Sequence, residues 1–275
     1  MALCYTKVNY PLLIPKGTIM IKIWNLTIPK LSGDTPRRAY VYVPDSYKKN
    51  PNLRYPVLYM FDGHNVFYDK HATYGKSWGM LDYMKKSRTQ MIIAAVECSH
   101  DPDNGRLHEY SPFPCYVESL GGRLKGKGKL TMDWYVHEFK PFVDHYFPTI
   151  PDRAHTFSAG SSMGGLMSLY AITKYNKYFS RCAALSPSIW FGYDKLSHLI
   201  QTSRIRKNTV VYMDYGSEEM NYHSDMLTNY TAVSTLLMRR GIGVTTRIVP
   251  RGDHSEGSWE RQIPIFMNSL LYELK

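Results

Sequence analysis

The feature that most constrains the fold of this chain is the alternation of short apolar runs with segments of helical spacing. Pro56–Phe61 and Met91–Val96 are continuous apolar runs, which are typical of strands buried on both faces of a sheet. The predicted strands are Thr18–Ile28, Arg37–Val43, Pro56–Phe61, Met91–Val96, His155–Ala159, Cys182–Leu185, Thr209–Met213 and Gly243–Val249. The predicted helices are Ser77–Ser87, Leu130–Phe147, Ser162–Tyr175, Tyr222–Arg239 and Ser258–Leu274. This order predicts an α/β fold with a mostly parallel central sheet and helices on both faces.

Two segments depart from this regular alternation. Residues 97–129 show no clear periodicity, and Pro141 lies inside the predicted helix Leu130–Phe147, where we expect a kink or a helix restart. The sequence contains no internal repeat and no linker rich in proline, glycine or serine. We therefore expect one domain over residues 1–275.

The composition excludes several classes of protein. With 275 residues, 44% of them hydrophobic, the chain has enough apolar material for a packed core, and no apolar run is long enough to span a membrane. Its cysteines, Cys4, Cys98, Cys115 and Cys182, form no CxxC pair, and no HExxH motif or Cys/His cluster is visible. We therefore expect neither a disulfide framework nor a metal site. Because the N-terminus also lacks a signal-peptide pattern, the sequence predicts a cytoplasmic protein.

A serine flanked by glycines follows one of the predicted strands. Residues 160–164 read GSSMG, with Ser162 at the centre, after the strand HTFSA and before the predicted helix. Such a strand–turn–helix presents a serine hydroxyl above the sheet, at the edge where parallel sheets bind ligands, and the helix N-terminus stabilises developing negative charge. Ser161 is a competing candidate, but only Ser162 lies centrally between the two glycines. The pattern predicts Ser162 as a catalytic nucleophile.

A catalytic serine needs a general base, because its hydroxyl is a poor nucleophile at neutral pH. His254 follows the last predicted strand and is the last of ten histidines, the position that a nucleophile–acid–base order requires. His223 also follows Ser162, but it lies in a predicted helix. The orienting carboxylate is expected after strand Thr209–Met213, where Asp214, Glu218 and Glu219 compete. The residues alone leave Glu218 and Glu219 equivalent.

The chain resembles the esterase branch of the α/β-hydrolase superfamily, from about residue 36 to its C-terminus. This branch includes S-formylglutathione hydrolases (esterase D), enterochelin-type esterases, feruloyl and acetyl esterases, and mycolyltransferases. The matching motifs are PVLYMFDGHNVF at 56–67, HTFSAGSSMGGLMSLY at 155–170, AALSPSIW at 183–190, YMDYGSEE at 212–219 and GDHSEGSW at 252–259. The resemblance implies an α/β-hydrolase domain and a serine carboxylesterase that needs no cofactor.

The resemblance also assigns further site residues. It implies Glu219 as the acid of the triad, three residues after Gly216 and 35 before His254. It implies an oxyanion hole formed by the backbone N–H groups of Met163 and of His64, the residue after the Asp62-Gly63 dipeptide. Two such donors stabilise the charged tetrahedral intermediate, each by about 3 kcal/mol.

Three side chains are candidates for the substrate pocket. Asp62 either binds a substrate hydroxyl or fixes its own loop, and we favour the loop. Trp78 and Trp190 lie in segments that leave the strand ends, where large rings could hold an acyl or aryl group, although both fit an ordinary core equally well. Arg106 and Glu109 are expected to form a structural ion pair.

The net charge of +11 raises the question of a nucleic-acid partner. Its best support is the basic, glycine-rich stretch Arg123–Lys129, but the other basic residues are dispersed and no nucleic-acid-binding motif is present. We therefore expect a small-molecule ester as the substrate, with no nucleic-acid or membrane partner. An acyltransferase that uses the same acyl-serine is the alternative activity, and a homo-oligomer is compatible with the sequence.

Overall fold

The centre of the molecule is a sheet, formed by eight strands of the residues that the computed structural model describes, 21–117, 122–220 and 225–274. Its strands are β1 (Ile21–Ile28), β2 (Gly33–Tyr42), β3 (Val57–Met60), β4 (Ile92–Val96), β7 (Thr156–Ser161), β8 (Arg181–Leu185), β9 (Val210–Gly216) and β10 (Gly243–Val249), while β5 (Cys115–Val117) and β6 (Gly122–Leu124) form a separate antiparallel pair. Their spatial order in the sheet is β1-β2-β4-β3-β7-β8-β9-β10. Only β2 opposes the other sheet strands, so the predicted mostly parallel sheet is confirmed.

Helices connect the strands and cover both faces of the sheet. Their bounds are α1 (Pro29–Ser32), α2 (Ser46–Lys49), α3 (Met80–Ser87), α4 (Gly105–Tyr110), α5 (Gly128–Trp134), α6 (Lys140–Tyr146), α7 (Met163–Lys174), α8 (Tyr193–Thr202), α9 (Met226–Arg239), α10 (Glu256–Glu260) and α11 (Ile263–Leu271). None of the helices in these ranges has the length and apolar composition that crossing a membrane requires.

Two hydrophobic clusters form the core, one on each face of the sheet. Strand β3 contributes to both clusters: Val57 and Tyr59 belong to one cluster, while Leu58 and Met60 belong to the other. Alternate residues of a strand point to opposite faces, so a strand buried on both faces must be apolar throughout. Helices α5, α7, α8 and α9 pack on the first face, and α3 and α11 pack on the second.

The structure divides two of the predicted helices. The segment predicted as Leu130–Phe147 contains α5, a π-helical turn at Tyr135–Phe139 and α6, with Pro141 in the first turn of α6. The wider turn accommodates a proline that has no N–H to donate and whose ring would crowd the preceding turn. The predicted closing helix Ser258–Leu274 is α10 and α11, because Pro264 starts a new helix near its N-terminus.

The irregular segment 97–129 contains the short helix α4 and the antiparallel strands β5 and β6, which the sequence did not predict. Helix α8 was also missed. Parts of two predicted elements, residues 18–20 of the first strand and 222–224 of one helix, lie outside the described residues, as do Cys4 and His223. Cys98, Cys115 and Cys182 are free thiols.

Candidate active site

Ser162 lies directly after β7, the fifth of the eight strands in the sheet. Its backbone has φ 57° and ψ −122°, a conformation that L-residues rarely adopt and that costs about 1–3 kcal/mol. The turn is held from the neighbouring strand, because the Ser162 N–H donates to the Leu185 carbonyl at 2.9 Å. The Ser162 Oγ lies 3.3 Å from the Ser188 Oγ. This geometry is that of a nucleophile elbow, whereas Ser161 is buried at the end of β7.

The glycines on either side of this turn allow close packing. A Cβ atom on Gly160 would lie 2.6 Å from the carbonyl carbon of Gly164, and one on Gly164 would lie 3.3 Å from Asp62 Oδ2. The loop after β3 therefore packs against the first turn of α7. Met163 is the first residue of α7, where an α-helix leaves its N–H without an intrahelical acceptor, and His64 lies in the single turn Gly63–Asn65 after β3. The two predicted oxyanion-hole residues thus belong to segments that pack together.

His254 follows β10, and its ring is paired with a buried carboxylate. His254 Nδ1 lies 2.6 Å from Glu219 Oε2. Glu219 is fully buried, and its Oε1 accepts hydrogen bonds from the Gly216 N–H at 2.8 Å and from the Ser186 hydroxyl at 2.6 Å. Glu218 is exposed. Of the two glutamates that the residues alone left equivalent, the structure places Glu219 beside His254.

Ser186 connects the Ser162 turn to Glu219 and was not singled out from the sequence. It follows Leu185, the acceptor of the Ser162 N–H, and its hydroxyl donates to Glu219 while accepting the Trp259 indole N–H at 3.0 Å. The Trp259 ring in turn lies edge-on to His254, at 5.1 Å between centroids. One signal in the sequence could have found Ser186: it is a polar residue directly after the apolar run Cys182–Leu185, at the end of a predicted strand where the site is expected.

The loops that carry Glu219 and His254 cross in close contact. Gly216 packs directly on the backbone of Gly252, so that a Cβ atom there would clash with the Gly252 carbonyl. The same carbonyl accepts the Glu218 N–H at 3.0 Å. The two loops therefore fix each other's position.

The chain also matches a known protein family. The family described as "Putative esterase" matches residues 32–267. The chain belongs to this esterase family. It is accordingly a carboxylic ester hydrolase with an α/β-hydrolase fold.

One curated relative and two solved structures illustrate the similarity of the esterase to known proteins at low sequence identity. YbbA, an uncharacterized protein of Bacillus subtilis strain 168, is 27% identical over 187 residues, which are 66% of this chain and 69% of that protein. An IroE-like serine hydrolase from Shewanella oneidensis superposes with a TM-score of 0.71 at 18% identity, over 91% of this chain and 78% of that one. The siderophore hydrolase EstA from Aspergillus nidulans gives a TM-score of 0.65 at 17% identity, over 95% and 98%. These structures share the fold of the esterase.

Asp214, the third carboxylate considered for the triad of the esterase, is buried beneath the site. Burial raises its pKa to about 7, although the Tyr212 hydroxyl donates to its Oδ2 at 2.7 Å. Its backbone carbonyl accepts the Ser186 N–H at 2.9 Å. Asp214 therefore lies under the Ser186 turn.

Asp62 of the esterase fixes the loop after β3. The Arg106 guanidinium donates to both of its carboxylate oxygens, at 2.7 and 2.8 Å. Burial acts to raise the pKa of Asp62, but Arg106 outweighs burial and holds this pKa below its usual range. The expected Arg106–Glu109 pair does not form, because Arg106 binds Asp62 and Glu109 binds Arg37.

The two candidate pocket tryptophans have different surroundings in the esterase. Trp78 is 3% exposed and packs against Trp259 and Phe266, which makes it a core residue rather than a pocket residue. Trp190 is half-buried beside Phe191, in the turn that follows β8 and Ser188.

The structure also corrects the expectation that the esterase has no Cys/His cluster. His64, Cys98 and His100 have potential metal-ligand atoms that all lie within 4.8 Å of one another. His64 is 34 positions before Cys98, and at that separation no spacing motif indicates the cluster. The three residues meet because β3 and β4 are adjacent parallel strands whose carboxyl ends lie side by side.

Proposed function

We propose that this esterase hydrolyses acyl esters through a covalent acyl-enzyme, with Ser162 as nucleophile, His254 as general base and Glu219 as the orienting carboxylate. The observation that carries the proposal is the 2.6 Å contact between His254 Nδ1 and the fully buried Glu219, at the sheet edge where Ser162 occupies its strained turn. The buried carboxylate fixes the ring so that its other nitrogen can accept a proton.

The reaction has two acyl transfers. Ser162 Oγ attacks the ester carbonyl as its proton moves to His254, and the tetrahedral intermediate collapses as His254 returns that proton to the departing alcohol oxygen. Water then attacks the acyl-serine, again giving a proton to His254, and the carboxylic acid leaves as Ser162 recovers its proton. The imidazolium formed in each step is stabilised by Glu219.

The oxyanion of each intermediate is bound by the N–H groups of His64 and Met163. Each donor contributes about 3 kcal/mol to transition-state stabilisation. The Asp62–Arg106 ion pair supports one donor by holding the loop that precedes His64. The second donor gains from the N-terminal position of Met163 in α7, because the helix dipole is positive there.

The proposal predicts that Ser162→Ala lowers kcat on a short-chain p-nitrophenyl ester by about 10³-fold or more, because no acyl-enzyme can form. Ser161→Ala is the matched control, since it removes the neighbouring buried hydroxyl and should keep most of the activity. Circular dichroism checks that both variants fold. Mass spectrometry after reaction with a fluorophosphonate should place the label on Ser162. Turnover that survives in Ser162→Ala would refute the mechanism.

A second pair of variants tests the acid. Glu219→Gln should lower kcat by about 10²–10⁴-fold, because an amide cannot stabilise the imidazolium and favours the wrong tautomer. Glu218→Gln should change kcat less than about twofold, since that side chain is exposed and a neutral surface substitution is usually tolerated. Steady-state kinetics on the same ester measures both. If Glu218→Gln were the more damaging change, the acid would be the other glutamate.

A further inference from the structure

We propose that His64, Cys98 and His100 form a binding site for a divalent cation of the zinc class. Their ligand atoms, two imidazole nitrogens and one sulfur, lie within 4.8 Å of one another. None of these three side chains takes part in the proposed acyl transfer, in which only the backbone N–H of His64 is used. A test of the cation site is therefore independent of a test of the proposed catalytic mechanism.

The fold brings the three residues together through two adjacent strands. Strands β3 and β4 run parallel, with Met60 in register with Ala95, so the residues that follow each strand emerge at the same sheet edge. The two loops then touch, because a Cβ atom on Gly63 would lie only 2.7 Å from the backbone of Val96. The sheet thus presents the His64 ring to the segment that carries Cys98 and His100.

The His64 ring is already arranged as a metal ligand. His64 is 3% exposed, and its Nε2 lies 3.0 Å from the Thr73 hydroxyl. Its Nδ1 is buried and has no hydrogen-bond partner among the described residues. When Thr73 accepts the Nε2 proton, Nδ1 keeps a lone pair. Metal-binding histidines commonly have such an outer hydrogen bond, and a buried nitrogen without a partner is costly unless a ligand satisfies it.

The other two proposed ligands are Cys98, which provides the sulfur, and His100, which is exposed to solvent. Cys98 is a free thiol and is 2% exposed. When the cation binds, the Cys98 proton leaves to solvent and the thiolate coordinates, while Asp62 keeps both Arg106 hydrogen bonds. His100 is exposed, and its ring centroid lies 4.7 Å from that of His64. The exposed ring is where a cation can reach the site.

The donor set selects the class of ion. Two imidazoles and a thiolate suit Zn²⁺ and Co²⁺ rather than Mg²⁺ or Ca²⁺, which prefer oxygen ligands. In a tetrahedral zinc site, neighbouring N and S ligands are about 3.3–3.6 Å apart, so a pair of ligand atoms at the 4.8 Å limit must approach each other by about 1.2–1.5 Å. Rotation of the exposed His100 side chain can supply that movement. Three protein ligands leave the fourth position to water.

Cobalt binding to the full chain tests the site directly. After treatment with a chelator, the protein should bind one Co²⁺ with a thiolate-to-cobalt charge-transfer band and the visible absorption of a tetrahedral site. Zn²⁺ should remove both signals by displacing the Co²⁺. Zn²⁺ should also raise Tm, with a shift that grows with the logarithm of the free Zn²⁺ concentration.

Two variants, each with a matched control, test whether Cys98 and His100 are the residues that bind Co²⁺. Cys98→Ala should abolish the charge-transfer band, and Cys115→Ala should keep it, because Cys115 is a free thiol outside the cluster. His100→Ala should weaken binding by at least about 10–100-fold, the loss that removal of a mere outer-shell partner causes. His198→Ala replaces another exposed histidine, on α8, and should leave binding unchanged.

The proposal fails if the wild-type protein gives no charge-transfer band, if the band survives in Cys98→Ala, or if His100→Ala binds Co²⁺ as tightly as wild type. Because His100 is exposed, His100→Ala tests the site even if Cys98→Ala does not fold. The Ser162→Ala variant should bind Co²⁺ like the wild type, which separates this outcome from that of the catalytic mechanism.

Discussion

Asp214 shows how a single buried carboxylate makes the stability of the protein depend on pH. Its pKa is raised by burial to about 7, from 3.8 for the free group. Between these values the folded state holds a proton that the unfolded state has lost. The free energy of unfolding therefore falls as pH rises from about 4 to 7, and the contribution of Asp214 is constant above that range.

This linkage predicts the behaviour of Asp214→Asn. The amide does not ionise, so the variant should gain stability relative to wild type as pH rises from 5 to 8, with Tm changing by about 2–4 °C for each kcal/mol. Thermal unfolding across this pH range measures the difference. Asp82→Asn, at an exposed position on α3, is the matched control. A Tm difference between Asp214→Asn and wild type that does not change with pH would contradict the prediction.

At the scale of residues, the sequence predicted those parts of the site that a local pattern encodes. The GSSMG turn indicates Ser162 because steric demands act within five residues, and His254 follows from its place after the last strand. The choice of Glu219 over Glu218 needed the family resemblance, because it depends on which side chain is buried beside His254. Ser186 was missed because its contacts, to Glu219 and Trp259, join segments that are far apart in the chain.

Strands β3 and β4 were predicted to within a residue, because burial on both faces makes each of them a continuous apolar run. Strand β10 was predicted with its observed bounds although most of its residues are exposed or half-buried. Helix α4 and the strands β5 and β6 were missed because they are short and their positions depend on tertiary contacts rather than on periodicity. The ion pair between Arg37 on β2 and Glu109 on α4 is one such contact.

This ion pair gives a prediction about how α4 is held on the sheet. Both side chains are buried, and Glu109 also accepts the Ser99 N–H at 3.1 Å. Glu109→Gln should lower the free energy of unfolding by about 3–5 kcal/mol, because it leaves the Arg37 charge buried without a counter-ion. Urea unfolding measures the change.

The control for this prediction is an exposed ion pair. Lys48 and Asp45 are 3.0 Å apart with side chains 41% and 59% exposed. Asp45→Asn should cost less than about 1 kcal/mol, because solvent screens the pair. If Glu109→Gln and Asp45→Asn lowered the free energy of unfolding by the same amount, the Arg37–Glu109 pair would not anchor α4.

At the scale of the whole molecule, the net charge of +11 does not identify a partner. In the basic stretch Arg123–Lys129, Lys129 pairs with Asp133 and Lys127 donates to the Leu31 carbonyl. These contacts give two of its lysines a partner within the chain. The candidate site residues lie instead at one edge of the sheet, on the loops that follow β3, β7, β8, β9 and β10.

The strand order has a consequence for how the protein is made. The side chain of Asn65, which follows His64, donates to Glu256, two residues after His254, across 191 positions of sequence. Contacts of such long range form late, because closing the intervening chain costs entropy before any contact compensates for it. A chain emerging from the ribosome can complete the turn at Ser162 long before His254 has been synthesised. Esterase activity should therefore be among the last properties to appear as the protein folds.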